Sequence, residues 1–447
     1  MVSHVEEITD RRPSATLHAD VLVAGAGASG LATAVTAARQ GSKVIVVERY
    51  GFCGGGAVAG MSGTICGLYE ASDNLVRPTQ VVHGFVDDFL KAMKDRGGLG
   101  DAILYGKTYT HVHDPLVWRE VADHLLQIAG VQVIYHAVVT DVLMNGDHVE
   151  GVQVYTKEGK LRIHASVTVD CTGDADVASM AGLPTFMGDD GQVQNPTMMF
   201  RLQGVDVERF RAHHGENTIL SKAVSEQIAA ADGNGYNLPR KKIWLFPTTR
   251  PGELLCNCTR ITGLDGRELN AVFYRDFTEA EVEGRKQARE YARFFRKNLP
   301  GCENSWINDT GVQVCVRQTR QVEGRDKLFN ADVVEGRKRP DGIARSPWPI
   351  ELHAGEQPRV EWLLNDYYEV PLGCFVPVRG SGLLVAGRCL SAEHEAVASA
   401  RVTAQCFSYG HAVGHAGALA SREGIPTHAL SGEDIRGLLN RDGAALD

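Results

Sequence analysis

A short apolar run, a glycine turn and a helix at the head of the chain restrict its fold more than any other feature. Residues Asp20 to Ala24 read DVLVA, a buried parallel strand, and Gly25 to Gly30 read GAGASG. Leu31 to Gln40 follow as a helix carrying Leu31, Val35 and Ala38 on one face, and Lys43 to Val47 (KVIVV) as the next strand. Strand, turn, helix and strand in that order make a βαβ unit. The glycines have separate tasks: Gly25 makes the turn, Gly27 lets backbone N–H groups meet a pyrophosphate, and Gly30 permits close packing of helix on strand. Glu48 ends the second strand roughly twenty residues on, where a carboxylate can accept from both hydroxyls of an adenosine ribose. A dinucleotide is therefore expected, and this fingerprint does not separate NAD from FAD.

Composition removes several alternatives. The 447 residues are 43% hydrophobic and 23% charged, enough for a large core divided between lobes rather than a disordered chain. A net charge of -9, with no long Lys/Arg run, lacks the electrostatic footprint of a nucleic-acid or anionic-membrane binder, so a small-molecule partner is expected. The ten cysteines contain no CxxC pair, which argues against a zinc ribbon, iron–sulfur ligands or a thioredoxin-like dithiol and for reduced, packed thiols. No stretch has the length of a membrane span. Arg11-Arg12 suggests a twin-arginine signal, but the apolar segment after it reads better as the first strand, and the expected location is cytoplasmic.

Further along, amphipathic helices are expected at Val82 to Met93 and Pro115 to Ile128, the second with Asp114 as N-cap and Pro115 at its first position. Strands are expected at Val131 to Tyr135, Val138 to Leu143, Val149 to Tyr155 and Leu161 to Val169. From Leu183 to Pro349 the strict alternation gives way to a mixed pattern that reads as an inserted substrate lobe. Strands at Glu369 to Val378 and Gly382 to Ala386 and one long small-residue helix, Val397 to Ala420, then complete the first fold.

Four stretches stand out in chain order. They are ERYGFCGGGAVAG (Glu48 to Gly60), DCTGDADVASMAG (Asp170 to Gly182), VCVRQTRQVEGRDKL with a later DVV (Val314 to Val334), and a long segment opening LLVAGRCLSAEHEAVASARV (Leu383 to Val402) and running on to Ala418. Together they resemble the FAD-dependent oxidoreductase family, within the wider GidA-like and glutathione-reductase-like flavoproteins. The resemblance covers nearly the whole chain. It implies an α/β fold with a Rossmann-like FAD-binding domain of the glutathione-reductase type, built from residues 1–182 and 350–447 around a mixed α+β lobe at 183–349. It also implies FAD contacts from Gly25, Gly27, Ala28, Ser29, Gly30, Glu48, Arg49, Gly54, Gly55, Gly56, Val138, Gly173, Asp174, Gly387, Arg388, Ala398 and Ser399. The helix after the AGR strand end should aim its positive end at the flavin N1 and O2 edge, where negative charge collects on reduction.

Candidates for chemistry follow from residue type. Cys53 precedes the double glycine where the family often has an aliphatic residue, and Cys66 lies a little further on; each reads as a packed thiol or, alternatively, as a covalent flavin link, redox partner or nucleophile. Arg317 and Arg320 share an R-x-T-R motif that would put both on one face if helical. Arg317 then holds a substrate carboxylate, stabilises reduced flavin, or pairs with Asp332 or Glu323 across the lobes. His394 and His353 are the preferred general bases among sixteen histidines. His111, His113 and Asp114 form a metal-like trio that reads better as a loop and helix start, and no metal is expected.

The expected function is hydride transfer between flavin N5 and a small, carboxylate-bearing substrate, in a dehydrogenase or oxidase. Oxygen, a quinone, a carrier protein or NAD(P) would serve as electron acceptor. The rivals are a flavin monooxygenase and a flavin-bearing electron-transfer subunit of a larger complex. A homo-oligomer is compatible with the size, but the sequence sets no number.

Overall fold

The computed structural model describes residues 16–75, 77–353 and 358–447, so Arg11 and Arg12 lie outside the described residues. Strand β1 (Thr16–Ala24) is fully buried over Val21 to Ala24, as a parallel strand covered on both faces must be. It pairs in parallel with β2 (Val44–Glu48) on one side and with the strand Gly159–Asp170 on the other. Gln132–Tyr135 adds in parallel beyond β2. The strand Gly159–Asp170 has two roles: its first half pairs antiparallel with His148–Thr156, and Thr168 to Asp170 pair in parallel with Leu383–Val385. With Val138–Asn145 at the edge, this makes a seven-stranded sheet, parallel in the middle and antiparallel at one side. The fold is therefore the expected Rossmann-like α/β domain, joined from distant parts of the chain.

Helix α1 (Ala28–Arg39) packs on this sheet beside the long helix Thr403–Glu423, which also rests on the sheet at Val21 and Val167. The crossing depends on small residues: a Cβ on Gly410 would lie 2.1 Å from the Ser29 carbonyl oxygen. The single helix expected at Val397 to Ala420 is in fact two, His394–Ala400 and Thr403–Glu423, parted at Arg401 and Val402. Val402 is extended (φ -74, ψ 164), and the first turn of the second helix is held from outside. Ala404 N–H donates to Cys66 O, and the Thr403 hydroxyl to Thr64 O. The Ala404 bond satisfies a backbone donor that a continuous helix would have used internally, and the Thr403 hydroxyl ties the same turn to the Thr64 segment. The strand expected at Glu369 to Val378 is shorter too: it runs Tyr368–Pro371 and becomes a 3-10 turn at Leu372–Phe375.

A second layer of structure stands beside the first. Its antiparallel sheet runs Trp244–Pro247, Glu253–Asn257, Phe200–Gln203, Trp306–Thr310, and the 25-residue helix Tyr274–Asn298 contributes Ala288, Tyr291 and Phe295 to a separate apolar core between Met198 and Val314. A small third cluster, including Cys66, Tyr105, Trp244 and Trp348, draws on both layers. Asp114 caps the helix Pro115–Ile128 as expected, its Oδ1 accepting from Leu116 N–H at 2.7 Å, while its Oδ2 accepts from Arg250 Nε at 2.7 Å across the layers. His111 donates from Nδ1 to Gly100 O and accepts the Tyr69 hydroxyl, and His113 stacks on Trp118 with ring centres 4.6 Å apart. All three members of the metal-like trio thus have structural work.

Burial leaves several imidazoles neutral. Loss of hydration, with Arg201 nearby, pushes His113 down to about 3; the same cause, with His411 nearby, lowers His415 to about 4; and His353 lies well below the ordinary value. An unfolded chain protonates these rings near pH 6.5, whereas the folded one does not, so their contribution is complete above that pH and is lost as pH falls toward 4. Each costs about 1.4 kcal/mol per pH unit across that window. The urea midpoint is expected to fall steeply between pH 6.5 and 4.5. A flat profile would contradict the neutral assignments.

Candidate functional site

One large cleft opens where the two layers meet the ends of β1 and β2, with a cavity of about 290 Å³. Its outer part is a cradle of backbone: Gly25, Gly27, Ala28 and Ser29 from the first turn, Gly54, Gly55 and Gly56 from the second, Gly173 from the third, and Gly387 with Arg388 from the fourth. Gly25 has φ +96, and a Cβ there would sit 2.6 Å from the Cys171 carbonyl oxygen, so no other residue fits. A Cβ on Gly30 would strike the Gly25 carbonyl at 1.9 Å, which is the close packing expected of that position. Gly27 differs, because a Cβ there would meet nothing nearer than Gly55 Cα at 3.8 Å. The space beside it is open, and α1 begins there without a side-chain cap. A helix N-terminus with free donors in a glycine-lined cleft is an anion site.

Glu48 stands beside the cradle, 5% exposed. Oε2 accepts from Ala26 N–H at 2.7 Å and Oε1 from Tyr50 N–H at 3.0 Å, which fixes the carboxylate and leaves further lone pairs on both oxygens. Burial raises its carboxyl above the ordinary value, opposed by those backbone bonds. Val138, 49% exposed at the start of its strand, forms the outermost lip with Ala137 and Val139. Arg49 Nη2 donates to Gln313 Oε1 at 2.5 Å, tying the cradle to the second layer.

Asp174 does not line the cleft. Its Oδ1 accepts from Arg388 Nη2 and from the Thr319 hydroxyl, both at 2.6 Å, joining three of the four sequence motifs. Although desolvation opposes it, the Arg388 guanidinium holds the Asp174 carboxyl below its ordinary value. That contribution is present above the unfolded pKa and lost as pH falls through the folded one. Asp174→Asn should cost about 3 kcal/mol of stability, because Arg388 is left buried without its counter-ion. Denaturant titration at pH 7 checks this; an unchanged midpoint would remove the pair from the account.

The inner part of the cleft is cationic. Arg317, 3% exposed, donates from Nη1 to Asn195 O and the Thr197 hydroxyl, each at 2.7 Å, and from Nη2 to Asn257 Oδ1 at 3.3 Å. Burial, with Arg240 and Arg401 nearby, pulls its guanidinium down to about 9. Arg401 reaches the cleft through the break between the two helices. Glu351 lies opposite: its Oε1 accepts the Tyr105 hydroxyl at 2.7 Å and is 3.5 Å from His353 Nε2. Arg240 Nη2 donates to His353 Nδ1 at 3.1 Å. The ring is therefore the Nε2–H tautomer, with its lone pair occupied.

These placements revise several sequence expectations. His353 lines the cleft, but its one basic nitrogen is committed to Arg240, which removes it as a free general base. His394, at the first turn of its helix, faces the Gly188 and Asp189 turn outside the cleft. The helix start that borders the cleft is the one at Thr403 instead. Cys53 does not line the cleft either; its Sγ sits 3.3 Å from the Tyr135 hydroxyl, and burial pushes the thiol up to about 12. Cys66 does line it, between the Thr64 and Thr110 hydroxyls, with its thiol also raised to about 12 by burial. Ala398 and Ser399 are buried behind the wall, where Ser399 Oγ donates to Trp348 O at 2.6 Å and so positions a lining residue. The R-x-T-R segment is extended rather than helical, so its arginines diverge: Arg317 enters the cleft and Arg320 pairs with Asp176. Sequence reasoning gave no role to Glu351, Tyr105 or Arg401. Arg401 falls inside the last quoted motif; Glu351 and Tyr105 carry no local signal.

The model of the FAD dependent oxidoreductase family matches residues 20–439. The chain belongs to that family. Membership implies FAD, and the donor set fits it: an uncapped helix start for a pyrophosphate, open space at Gly27 and a fixed carboxylate at Glu48. Among curated relatives the chain is 26% identical over 186 residues to the NADH:fumarate oxidoreductase of Klebsiella pneumoniae (strain 342), a match covering 34% of this chain and 20% of that protein. The match spans about a fifth of that relative. The structure resembles a geranylgeranyl bacteriochlorophyll reductase-like protein of Thermoplasma acidophilum, at 13% identity and a TM-score of 0.52, over 96% of this chain and 85% of the other. It also resembles a p-nitrophenol 4-monooxygenase of Pseudomonas putida DLL-E4, at 12% identity and a TM-score of 0.50, over 97% and 87%. Both likenesses concern the fold. No helix among the described residues is long and apolar enough to cross a membrane.

Proposed function

We propose that this flavoprotein transfers a hydride between flavin N5 and a small carboxylate-bearing organic substrate. The observation that carries this reading is the buried Arg317 guanidinium in the cleft, whose hydrogen-bond partners are all neutral. A guanidinium withdrawn from water without a counter-charge is costly, and a carboxylate completes it. When bound, FAD supplies the two-electron acceptor or donor. The cradle residues Gly25, Gly27, Ala28, Ser29, Gly54, Gly55, Gly56, Gly173, Gly387 and Arg388 would hold it with Glu48, Arg49 and Val138, and the domain arrangement expected from the sequence would follow.

The protein's own groups divide the remaining work. Arg317 orients the substrate through its carboxylate, and Trp348, Phe246 and Met199 exclude water from the reacting carbon. The start of the helix Thr403–Glu423 presents its positive end to the cleft. Glu351, fixed by Tyr105, is the cleft carboxylate closest to the cationic end and a better-placed proton acceptor than His353. Anaerobic mixing of the FAD-loaded protein with hydroxy, amino and saturated carboxylic acids tests the reading. One acid is expected to bleach the flavin. If the flavin is bleached only by uncharged compounds, the carboxylate assignment fails. Acid precipitation should leave the flavin in the supernatant; flavin in the pellet would point to Cys66.

A further inference from the structure

The charges at the inner end of the cleft do not balance. Arg317 and Arg401 line it, and Arg240 stands one layer behind, against His353. Arg401 donates to Gln194 Oε1 at 3.2 Å, Arg240 to the neutral His353, and Arg317 to three uncharged oxygens. Among the described residues, Glu351 is the carboxylate at that end, and it already takes the Tyr105 hydroxyl and faces His353. Three guanidinium groups against one carboxylate leave two positive charges in excess. The surroundings also hold donors in waiting: Arg401 Nε, Arg240 Nε and Nη1, Asn195 Nδ2, Gln194 Nε2 and Trp348 Nε1 are buried without a partner. Orphaned donors and unmatched cations cost free energy until an acceptor of opposite charge arrives.

We propose that this end of the cleft takes a dianion, a small organic acid with two carboxylates, one held by Arg317 and the other by Arg401. The inference rests on the carboxylate reading above and narrows it. A monocarboxylate would leave one guanidinium bare, whereas a dicarboxylate neutralises both and uses the waiting donors. Burial lowers Arg317, Arg401 and Arg240, and Arg317 is lowered further by the other two guanidinium groups, as at a site whose counter-ions are supplied by its ligand. Arg240 acts here as a positioning residue, fixing His353 and through it the Glu351 carboxylate.

The test uses the FAD-loaded protein titrated separately with succinate, butyrate and inorganic sulfate, followed by calorimetry and by the shift in flavin absorption. Succinate is expected to bind about tenfold or more tightly than butyrate, the gain of a second charge-assisted bond. Arg401→Gln should bring succinate to the butyrate level while FAD content stays unchanged, and Arg401→Lys, the check on folding, should restore part of the difference. Equal binding of butyrate and succinate would overturn the dianion and leave the carboxylate reading standing. Sulfate binding as tightly as succinate would overturn the two-carboxylate form. If Arg401→Gln lowers the flavin midpoint potential and leaves the succinate-to-butyrate ratio intact, the arginine serves reduced flavin and the proposal fails. If none of the three anions binds, both readings fall together.

Discussion

Gly27→Val is expected to yield a folded, colourless protein. The side chain would occupy open space, since a Cβ at this position meets only Gly55 Cα at 3.8 Å, so the fold has little reason to object. In the proposed placement the pyrophosphate has every reason to, because that space is where it would approach the uncapped start of α1. Two or three charge-assisted bonds are lost, about 4 kcal/mol or more, a factor near a thousand in FAD affinity. Flavin absorbance per protein after gel filtration measures it, with circular dichroism as the control. A fully yellow variant would sink the placement of the cofactor. Gly30→Val gives the contrast: its Cβ strikes backbone at 1.9 Å, so there the fold itself is expected to fail.

Arg317→Met is the second large effect, and it should separate stability from activity. On the proposed reading the substrate would lose its charge partner, so kcat/KM for the acid that bleaches the flavin is expected to fall about a hundredfold or more. FAD should remain bound, because Arg317 is remote from the glycine cradle in role and belongs to the inner end. Stability should stay level or rise, since methionine removes a buried cation whose partners Asn195, Thr197 and Asn257 are all neutral. Thermal melting of the ligand-free variant alongside stopped-flow reduction checks both halves. A variant that melts far lower and reduces at the normal rate would make Arg317 a structural residue.

The sequence was most informative where chemistry is local. Gly25, Gly27 and Gly30 are bound by steric rules that act within a few residues, and β1, α1 and β2 form within a few residues of where their periodicity put them. Asp114 caps its helix for the same local reason. Long-range contacts were not legible. After the break at Arg401 and Val402, the Ala404 N–H and the Thr403 hydroxyl are taken by Cys66 and Thr64, more than three hundred positions away. His353 looked like a base until Arg240, from the other layer, claimed its lone pair. Arg317 and Arg320 part because the segment is extended, which a motif spacing cannot reveal. Cys53 read as a packed thiol or, alternatively, a reactive one, and its neighbour in space, the Tyr135 hydroxyl, could not be read from the sequence.

The short strand Leu383–Val385 closes against Thr168 to Asp170 and carries Gly387 to the cradle. During synthesis, the first turn and its helix emerge long before that strand exists. The nascent chain therefore presents half a cradle, with the edge at Thr168 to Asp170 unpaired, until Leu383–Val385 has emerged. Cofactor capture then waits for that strand, and a cell short of riboflavin should accumulate chains whose cradle is assembled but poorly locked. Those chains are the ones a protease meets first.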